Sequence, residues 1–181
     1  AQWTCTASGA VVVSPKTVSP FIRAVTIGKI VDLGVADANN MGAAMAPAAA
    51  YVIKTFLQDT AMEPSDFDAI ITGDLGTVGS KLLVELLRGD GIDISKCHRD
   101  CGVMMFDPET QDVHAGGSGC GCSASVLCGY FLPKIRAGEM KNILFCATGA
   151  LMSTTASQQG ESIPSVSHAV FISAESRMSG N

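Results

Sequence analysis

A short apolar run that ends on a glycine turn constrains the fold most. Residues 69–72, Ala-Ile-Ile-Thr, form such a run, and Gly-Asp-Leu-Gly follows at 73–76. A run of this length without polar alternation is typical of a buried strand. The next stretch, residues 80–87, predicts a helix that stops at Gly89. A buried strand that passes through a glycine turn into a helix indicates an α/β sheet.

The rest of the chain repeats this alternation. Further predicted elements are a strand at 21–31, a helix from an N-cap at 39–40 to about Leu57, a polar loop at 92–111 with a short strand at 101–106, a helix at 123–136 kinked by Pro133, and strands at 141–147 and 165–173. Short turns connect most of them, which favours neighbouring strands with helices on both faces. We therefore predict an α/β fold with a mostly parallel mixed sheet between helical layers.

Two segments near the ends of the chain resemble one another. TASGAVVVS at 6–14 and SVSHAVFIS at 165–173 share Ser, Ala, Val and Ser at the same offsets, and each predicts a turn running into a buried strand. One explanation is a duplicated α/β unit, in which residues 1–14 are the closing strand of a missing N-terminal half and residues 15–181 are the C-terminal domain. Chance similarity between two short strings is the other, and the sequence leaves both open.

Composition excludes two kinds of interaction. The 181 residues carry a formal net charge of -5 and are 47% hydrophobic. An acidic chain lacks the basic field that grips phosphates, so no nucleic-acid partner is expected. No run of about 18 apolar residues is available to span a bilayer, so any membrane contact is expected to be peripheral. The apolar content instead indicates an interface, and an odd number of cysteines, 7, favours a reducing compartment.

Three glycine-marked segments are expected at one edge of the sheet: residues 73–76, 116–122 and 148–151. Ligands in such sheets lie at the carboxyl ends of strands and at helix N-termini, so these segments predict a pocket. Glycine lets the backbone approach a ligand, and successive N–H groups at a helix start form a nest for an anion. The alternative is that the glycines only permit tight packing. The predicted ligand-binding residues are Asp74, His114, Gly117, Ser118, Gly119, Cys120 and Cys122.

Individual side chains leave alternatives open. Asp74 follows a buried strand, so its carboxylate either caps the next helix or faces the cleft. His114 is a candidate general base or a surface-loop residue, and a cysteine at a helix start is a candidate nucleophile or a small residue that fits. His168, in the apolar closing strand, is predicted to lie in the core. Spacings such as that of Cys97 and Cys101 do not match zinc motifs, so no metal site and no cofactor are predicted.

Six strings carry a resemblance to a known family. They are NNMGAAMAPAA at 39–49, GDLG at 73–76, DCG at 100–102, QDVHAGGSGCGCSA at 111–124, ATGAL at 147–151 and QQGESIPSVSHAV at 158–170. With these strings the chain resembles the C-terminal half of the thiolase-like fold shared by thiolases and ketoacyl synthases. It resembles more closely the stage V sporulation protein AD family of spore-forming bacteria.

The resemblance implies a non-enzymatic relative of the condensing enzymes. It implies binding of dipicolinic acid (pyridine-2,6-dicarboxylate), alone or as its calcium chelate, for uptake into developing spores and release in germination. It also implies action beside other stage V sporulation proteins, a location peripheral to the spore inner membrane, and homo-oligomerisation through the missing half.

Departures from the enzyme pattern agree with a binding protein. Synthase-type enzymes carry in this half a histidine in an HQAN-like turn and an asparagine in a GNTSA-like turn, which stabilise an oxyanion. Here the turns read GDLG and GGSGC, so Asp74 replaces a hydrogen-bond donor and Gly117 or a neighbour replaces the asparagine. A one-residue shift brings His114 near the histidine of thiolases, and Cys146 resembles their second cysteine. The alternative is an acyl-CoA or acyl-carrier condensing enzyme whose nucleophilic cysteine lies in the missing half, with Asp74, His114 or Cys146 transferring protons.

Overall fold

The computed structural model describes residues 1–16 and 18–176. Its strands are β1 (Trp3–Thr4), β2 (Phe21–Thr26), β3 (Ala69–Thr72), β4 (His98–Asp100), β5 (Gly117–Ser118), β6 (Asn142–Ala150) and β7 (Ser165–Ser173). Its helices are α1 (Met41–Thr60), α2 (Gly76–Gly89), α3 (Cys101–Met104), α4 (Cys122–Val126), α5 (Leu132–Arg136) and α6 (Thr154–Gln158). A 3₁₀ turn covers Pro64–Asp66, and a π-helical segment, Leu127–Phe131, joins α4 to α5.

Five strands form one mixed sheet in the order β2-β7-β6-β3-β4. β3 lies parallel to both β4 and β6, whereas β7 runs antiparallel to β6 and β2. The two short strands β1 and β5 pair separately and in parallel, with Trp3 opposite Gly117. In the parallel part of the sheet the carboxyl ends of β3, β4 and β6 reach the same edge, where α/β proteins place their binding sites.

Helices cover both faces of this sheet. On one face α1 and α2 pack over strand residues that include Ile70, Leu144 and Phe171. On the other face the helix that runs through α4 and α5 packs over intervening positions that include Ile71 and Ile143. Successive side chains of a strand point to opposite faces, so each buried strand supplies both cores. The predicted α/β fold, with a mixed sheet between helical layers, is confirmed.

Local signals predicted most element positions. β3 and β7 have the predicted bounds, whereas β6 extends to Ala150 and β2 ends early, at Thr26. Asn40 caps α1 as predicted, since its Oδ1 accepts a hydrogen bond from Ala43 N at 3.4 Å, and the helix continues to Thr60. The cap leaves one fewer unpaired N–H at the helix start.

The predicted helix at 123–136 is built in three pieces from Cys122 to Arg136. Proline cannot donate a backbone hydrogen bond, so the regular α pattern is interrupted before Pro133. The interruption takes the form of the wider π-helical turn.

The prediction of a strand at 101–106 is wrong. β4 ends at Asp100, and α3 begins with the next residue. Asp100 Oδ1 accepts a hydrogen bond from Val103 N at 3.1 Å, and an aspartate in this position turns the chain into a helix. The same carboxylate accepts the N–H groups of Leu75 and Gly76, which explains why α2 begins earlier than predicted.

The prediction of a strand at 6–14 is also wrong. This segment lies against the helix that begins with α4: the carbonyl oxygen of Ala7 is 1.9 Å from where a Cβ on Gly121 would lie. Val12 is 95% exposed. A strand needs a neighbouring strand for its N–H and C=O groups, and within the described residues none pairs with this segment.

The division into residues 1–14 and 15–181 stays a prediction, and residues 17 and 177–181 lie outside the described part of the chain. Of the helices that are described, none has both the length and the apolar character needed to cross a membrane.

Candidate functional site

The three glycine-marked segments meet at one edge of the sheet. A Cβ on Gly73 would lie 2.5 Å from Thr148 Oγ1, and a Cβ on Gly76 would lie 2.5 Å from the carbonyl oxygen of Ala115. Thr77 N donates a hydrogen bond to that same carbonyl at 2.9 Å. A side chain at either glycine would therefore push the segments apart. The close packing that the glycines permit is what brings these segments together.

Asp74 bridges two of these segments. Its Oδ2 accepts a hydrogen bond from Ser118 Oγ at 3.0 Å and another from Gly119 N at 3.1 Å. Among the described residues, its Oδ1 has a single long contact, 3.5 Å from Thr148 Oγ1. One oxygen of this half-buried carboxylate is thus anchored, while the other keeps most of its capacity to accept hydrogen bonds or to bind a cation.

Neither alternative for Asp74 from the sequence describes this arrangement. It does not cap α2, because Asp100 accepts the N–H groups of Leu75 and Gly76 at 2.9 Å each. It does not simply face an open cleft either, because the N–H of Gly119 donates to it. A carboxylate of the chain itself occupies part of the predicted anion nest.

Asp100 is a second and more deeply buried carboxylate. It is 3% exposed, and besides its two bonds to the start of α2 it accepts from Thr72 Oγ1 at 2.7 Å and from Val103 N at 3.1 Å. Burial raises the pKa of Asp100, and its hydrogen bonds oppose that rise. The sequence string DCG contains this residue, but nothing local indicates which turns it contacts.

His98 extends this network. Because the Thr72 hydroxyl donates to Asp100, its oxygen accepts the hydrogen from His98 Nε2 at 3.0 Å. The imidazole therefore carries its hydrogen on Nε2. Burial, helped by the charge of Arg99, lowers the pKa of His98 to about 4, so the ring is neutral at neutral pH.

Gln2 and Thr148 are site residues that the sequence did not single out. Gln2 Nε2 donates to the carbonyl oxygens of Asp74 at 2.8 Å and Gly117 at 3.0 Å, which ties the two turns together. β1, which follows Gln2 directly, is too short for a periodic signal. Thr148 lies in one of the predicted glycine segments, so its position was indicated although its contact with Asp74 was not.

His114 makes its contacts at the surface. Its ring stacks on that of Trp3, with 6.3 Å between centroids and 26° between planes, and its Nδ1 lies 3.5 Å from Asp112 Oδ1. The side chain is 56% exposed, and the backbone φ is +51°. Within the described chain no hydrogen bond joins His114 to Asp74 or Cys146, so it is not placed as a base for either.

His168 is exposed, so the prediction that it lies in the core is wrong. Its Nδ1 accepts a hydrogen bond from Gly28 N at 3.1 Å. In β7 the alternate residues Ser165, Ser167, Ala169 and Phe171 are buried, and His168 points to the opposite face, where its neighbours Val166 and Val170 are only half-buried.

The cysteines near the site differ in exposure. Cys120 is exposed, whereas Cys122 and Cys146 are fully buried. Burial raises the pKa of the two buried thiols, so they are protonated and poor nucleophiles. Over the described residues, no group of three or more His, Cys, Asp or Glu side chains is arranged to hold a metal ion.

A cleft of about 270 Å³ adjoins the site and shares Gln2 with it. Its walls include Leu75 and Ala115, which flank the turns, and the polar side chains of Gln2, Asn39 and Asn40. None of the seven predicted ligand-binding residues lines it. The hydrogen-bonding groups of the site are therefore at the Asp74 turn, next to this cleft.

The fold and site define a class of protein: an α/β protein in which glycine turns at the carboxyl edge of a mixed sheet close on a carboxylate. The family model of stage V sporulation protein AD matches residues 1–173. The chain belongs to the stage V sporulation protein AD family, and the resemblance drawn from the six strings is confirmed.

Two known proteins illustrate the similarity. Over 167 residues the chain is 44% identical to stage V sporulation protein AD of Bacillus subtilis (strain 168). These residues make up 92% of this chain and 49% of that protein. The chain thus spans about half the length of this relative. The crystal structure of 3-oxoacyl-[acyl-carrier-protein] synthase III from Aquifex aeolicus VF5 matches 87% of this chain and 54% of its own, at a TM-score of 0.44 and 13% identity.

Proposed function

We propose that the full-length protein binds dipicolinic acid as its calcium chelate, without catalysis, for uptake into developing spores and release in germination. Membership of the stage V sporulation protein AD family supports a role in sporulation. The observation that carries the proposal is the Asp74 carboxylate, which Ser118 and Gly119 hold at the turn where a condensing enzyme is expected to present a donor.

The charge of Asp74 disfavours acyl-transfer chemistry at this turn. A developing oxyanion beside a carboxylate is repelled, by about 4 kcal/mol for two unit charges 4 Å apart at an effective dielectric constant near 20. Dipicolinate is itself a dianion and meets the same repulsion. A cation between the two carboxylates removes this penalty, and the proposal therefore includes calcium.

Calcium chemistry suits the geometry of Asp74. The ion takes about six to eight ligand atoms, mostly oxygens. Dipicolinate supplies three of these positions, through its two carboxylates and its ring nitrogen. Positions on the ion stay open for water and protein oxygens. Asp74 Oδ1, which lies 3.5 Å from Thr148 Oγ1, is available for such a position, while Oδ2 keeps the side chain in place.

The other predicted ligand-binding residues take different parts in this proposal. Ser118 and Gly119 act through Asp74, because their donors are already engaged by its carboxylate. Gly117 and Cys122 are buried and shape the turn, whereas Cys120 and His114 are exposed. The ligand is thus expected to contact the turn through Asp74 more than through the N–H of Gly119.

The competing function is an acyl-transferring condensing enzyme. Within the described residues Cys122 and Cys146 are buried, protonated thiols, and His114 stacks on Trp3 at the surface. Incubation of the full-length protein with acyl-CoA tests this function by the release of free CoA thiol. Release above the rate without protein would contradict a purely binding role.

Calorimetric titration of the full-length protein with dipicolinate tests the proposal. We expect binding in calcium that weakens at least tenfold in a calcium chelator, since one bridging carboxylate contact is worth about 1.5–3 kcal/mol.

Asp74→Asn keeps the shape of the side chain but removes its charge, and we expect it to lose the calcium dependence. Asp112→Asn is the matched control, because that carboxylate is 90% exposed and lies beside His114. Equal binding by the wild-type protein in calcium and in chelator would contradict the calcium bridge, and no binding in either would end the proposal.

The proposal extends to location and assembly. The protein would act at the spore inner membrane as a peripheral component beside other stage V sporulation proteins, and its copies would associate through the half that this chain does not span. Light scattering of the full-length protein measures the association. Flotation with spore-membrane vesicles, with and without those partner proteins, measures the membrane contact.

A further inference from the structure

Asp100 connects the ends of three elements around the proposed site. Its Oδ2 accepts from Thr72 Oγ1 at 2.7 Å and from Leu75 N at 2.9 Å, and its Oδ1 accepts from Gly76 N at 2.9 Å and Val103 N at 3.1 Å. The end of β3, the start of α2 and the start of α3 are thus held by one buried side chain. Each of these four donors has Asp100 as a partner in place of water.

The first turn of α3 lies between the segments that Asp74 joins. A Cβ on Gly102 would be 2.5 Å from the carbonyl oxygen of Gly117 and 3.2 Å from the Cα of Asp74. A Cβ on Gly116 would be 2.6 Å from the carbonyl oxygen of Gly102. The backbone of α3 therefore contacts both segments, and a displacement of α3 changes the separation between Asp74 and the turn at Gly117.

We propose that Asp100 is the positioning residue of the dipicolinate site: by fixing α2 and α3 relative to β3, it sets the distance at which Asp74 meets Ser118 and Gly119. Asp100 is 3% exposed, and both of its carboxylate oxygens are engaged by groups of the chain. Its effect passes through Asp74 Oδ2, whose two hydrogen bonds need the turns in register. The identity of the ligand rests on the proposed function, whereas the effect on the Asp74–Gly119 bond does not.

Asp68, an exposed aspartate just before β3, provides a comparison at the end of that strand opposite its contact with Asp100. Its Oδ2 also accepts two backbone hydrogen bonds, from Lys141 N at 2.6 Å and from Asn142 N at 2.9 Å. It therefore ties β3 to β6 as Asp100 ties β3 to α2, but at the edge of the sheet away from the glycine turns. Asp68→Asn therefore shows what weakening two backbone hydrogen bonds does away from the site, whereas a positioning effect would be confined to Asp100.

Amide hydrogen exchange and dipicolinate titration of the full-length protein test the inference. In Asp100→Asn, an amide nitrogen faces donors that need an acceptor, so we expect the Gly119 N–H to exchange about tenfold faster and the affinity for calcium dipicolinate to fall about tenfold. Asp68→Asn is expected to leave both quantities at the wild-type value. Thr72→Val removes one donor from Asp100. We expect it to speed the exchange of the Gly119 N–H and to lower the affinity for calcium dipicolinate, each by less than Asp100→Asn does. It can therefore test the inference if Asp100→Asn does not fold.

Two results would overturn the inference. If the Gly119 N–H exchanges at the wild-type rate in folded Asp100→Asn, then Asp100 does not set the Asp74 contact. If Asp100→Asn does not fold, the same result in Thr72→Val leads to the same conclusion. Equal changes in Asp68→Asn would show that the effect is general destabilisation. A wild-type protein that fails to bind dipicolinate would end the proposed function instead, and the exchange of Gly119 would still decide the role of Asp100.

Discussion

Asp74 Oδ2 accepts a hydrogen bond from the backbone N–H of Gly119 at 3.1 Å, across 45 residues of sequence. The contact joins the turn after β3 to the turn that opens α4. It places a negative charge of the chain where a glycine nest would otherwise receive a ligand anion. A ligand at this turn must therefore bring a cation or a hydrogen-bond donor to Asp74.

The contact between α1 and α2 predicts an unequal response of two glycines in one helix. A Cβ on Gly79 would lie 2.7 Å from the carbonyl oxygen of Gly42, so Gly79→Ala must move the helices apart. We expect the free energy of unfolding to fall by about 1–3 kcal/mol in urea denaturation. Gly89→Ala is the control, because a Cβ there meets nothing within 4 Å, and it should change stability by less than about 1 kcal/mol. Equal losses would contradict the close helix contact.

His98 predicts a loss of stability in acid. Its pKa falls from 6.5 in the unfolded chain to about 4 in the folded protein, so folding favours the neutral ring. The contribution of His98 to the free energy of unfolding is fully present above pH 6.5 and is lost as the pH falls through about 4. It amounts to roughly 2–3 kcal/mol with allowance for the partial exposure of the ring.

The variant His98→Gln isolates this contribution. Glutamine keeps a donor toward Thr72 and does not titrate. Denaturation of both proteins over the same pH range should show a steeper loss for the wild type. Parallel curves would mean that His98 is hydrated in the folded protein.

Thiol labelling should follow burial. Cys120 is exposed, whereas Cys101, Cys122 and Cys146 are buried, and burial raises the pKa of each buried thiol. We expect a maleimide to modify Cys120 within minutes and the three buried cysteines only after unfolding, as read by peptide mass spectrometry. Rapid labelling of Cys146 in the folded protein would contradict its burial.

The turn at Gly119 should tolerate no side chain. Its φ of +108° is accessible to glycine, and a Cβ there would lie 3.2 Å from Thr4 Cγ2. We expect Gly119→Ala to lose about 1–2 kcal/mol of stability and about tenfold in affinity for calcium dipicolinate, because the turn that holds Asp74 changes shape.

Gly138→Ala separates the two effects. Gly138 has a φ of +75° with nothing within 4 Å of its Cβ position, so the variant should lose similar stability and keep full affinity. Melting and calorimetry on the same preparations measure both quantities. Wild-type affinity in Gly119→Ala would remove this turn from the site.

Local structure was predictable where the signal lies within a few residues. The apolar runs of β3 and β7 predicted these strands with their bounds, and Asn40 predicted the start of α1. These features depend on how a side chain interacts with its own backbone and immediate neighbours. The family could be recognised for a related reason, since the strings that identify it are contiguous.

Contacts between distant segments were not predictable. The sequence places Asp74 after a strand but does not say that α2 takes its cap from Asp100, which leaves Asp74 for Gly119. The same holds for residues 6–14, whose valines suit a strand but find no neighbouring strand within the described residues. The sequence by itself determined β3, β7, the start of α1, the glycine turns and the family. Only the tertiary structure decided the partner of each carboxylate, because strand order sets which turns become neighbours and a buried polar group bonds to the donors that packing brings within reach.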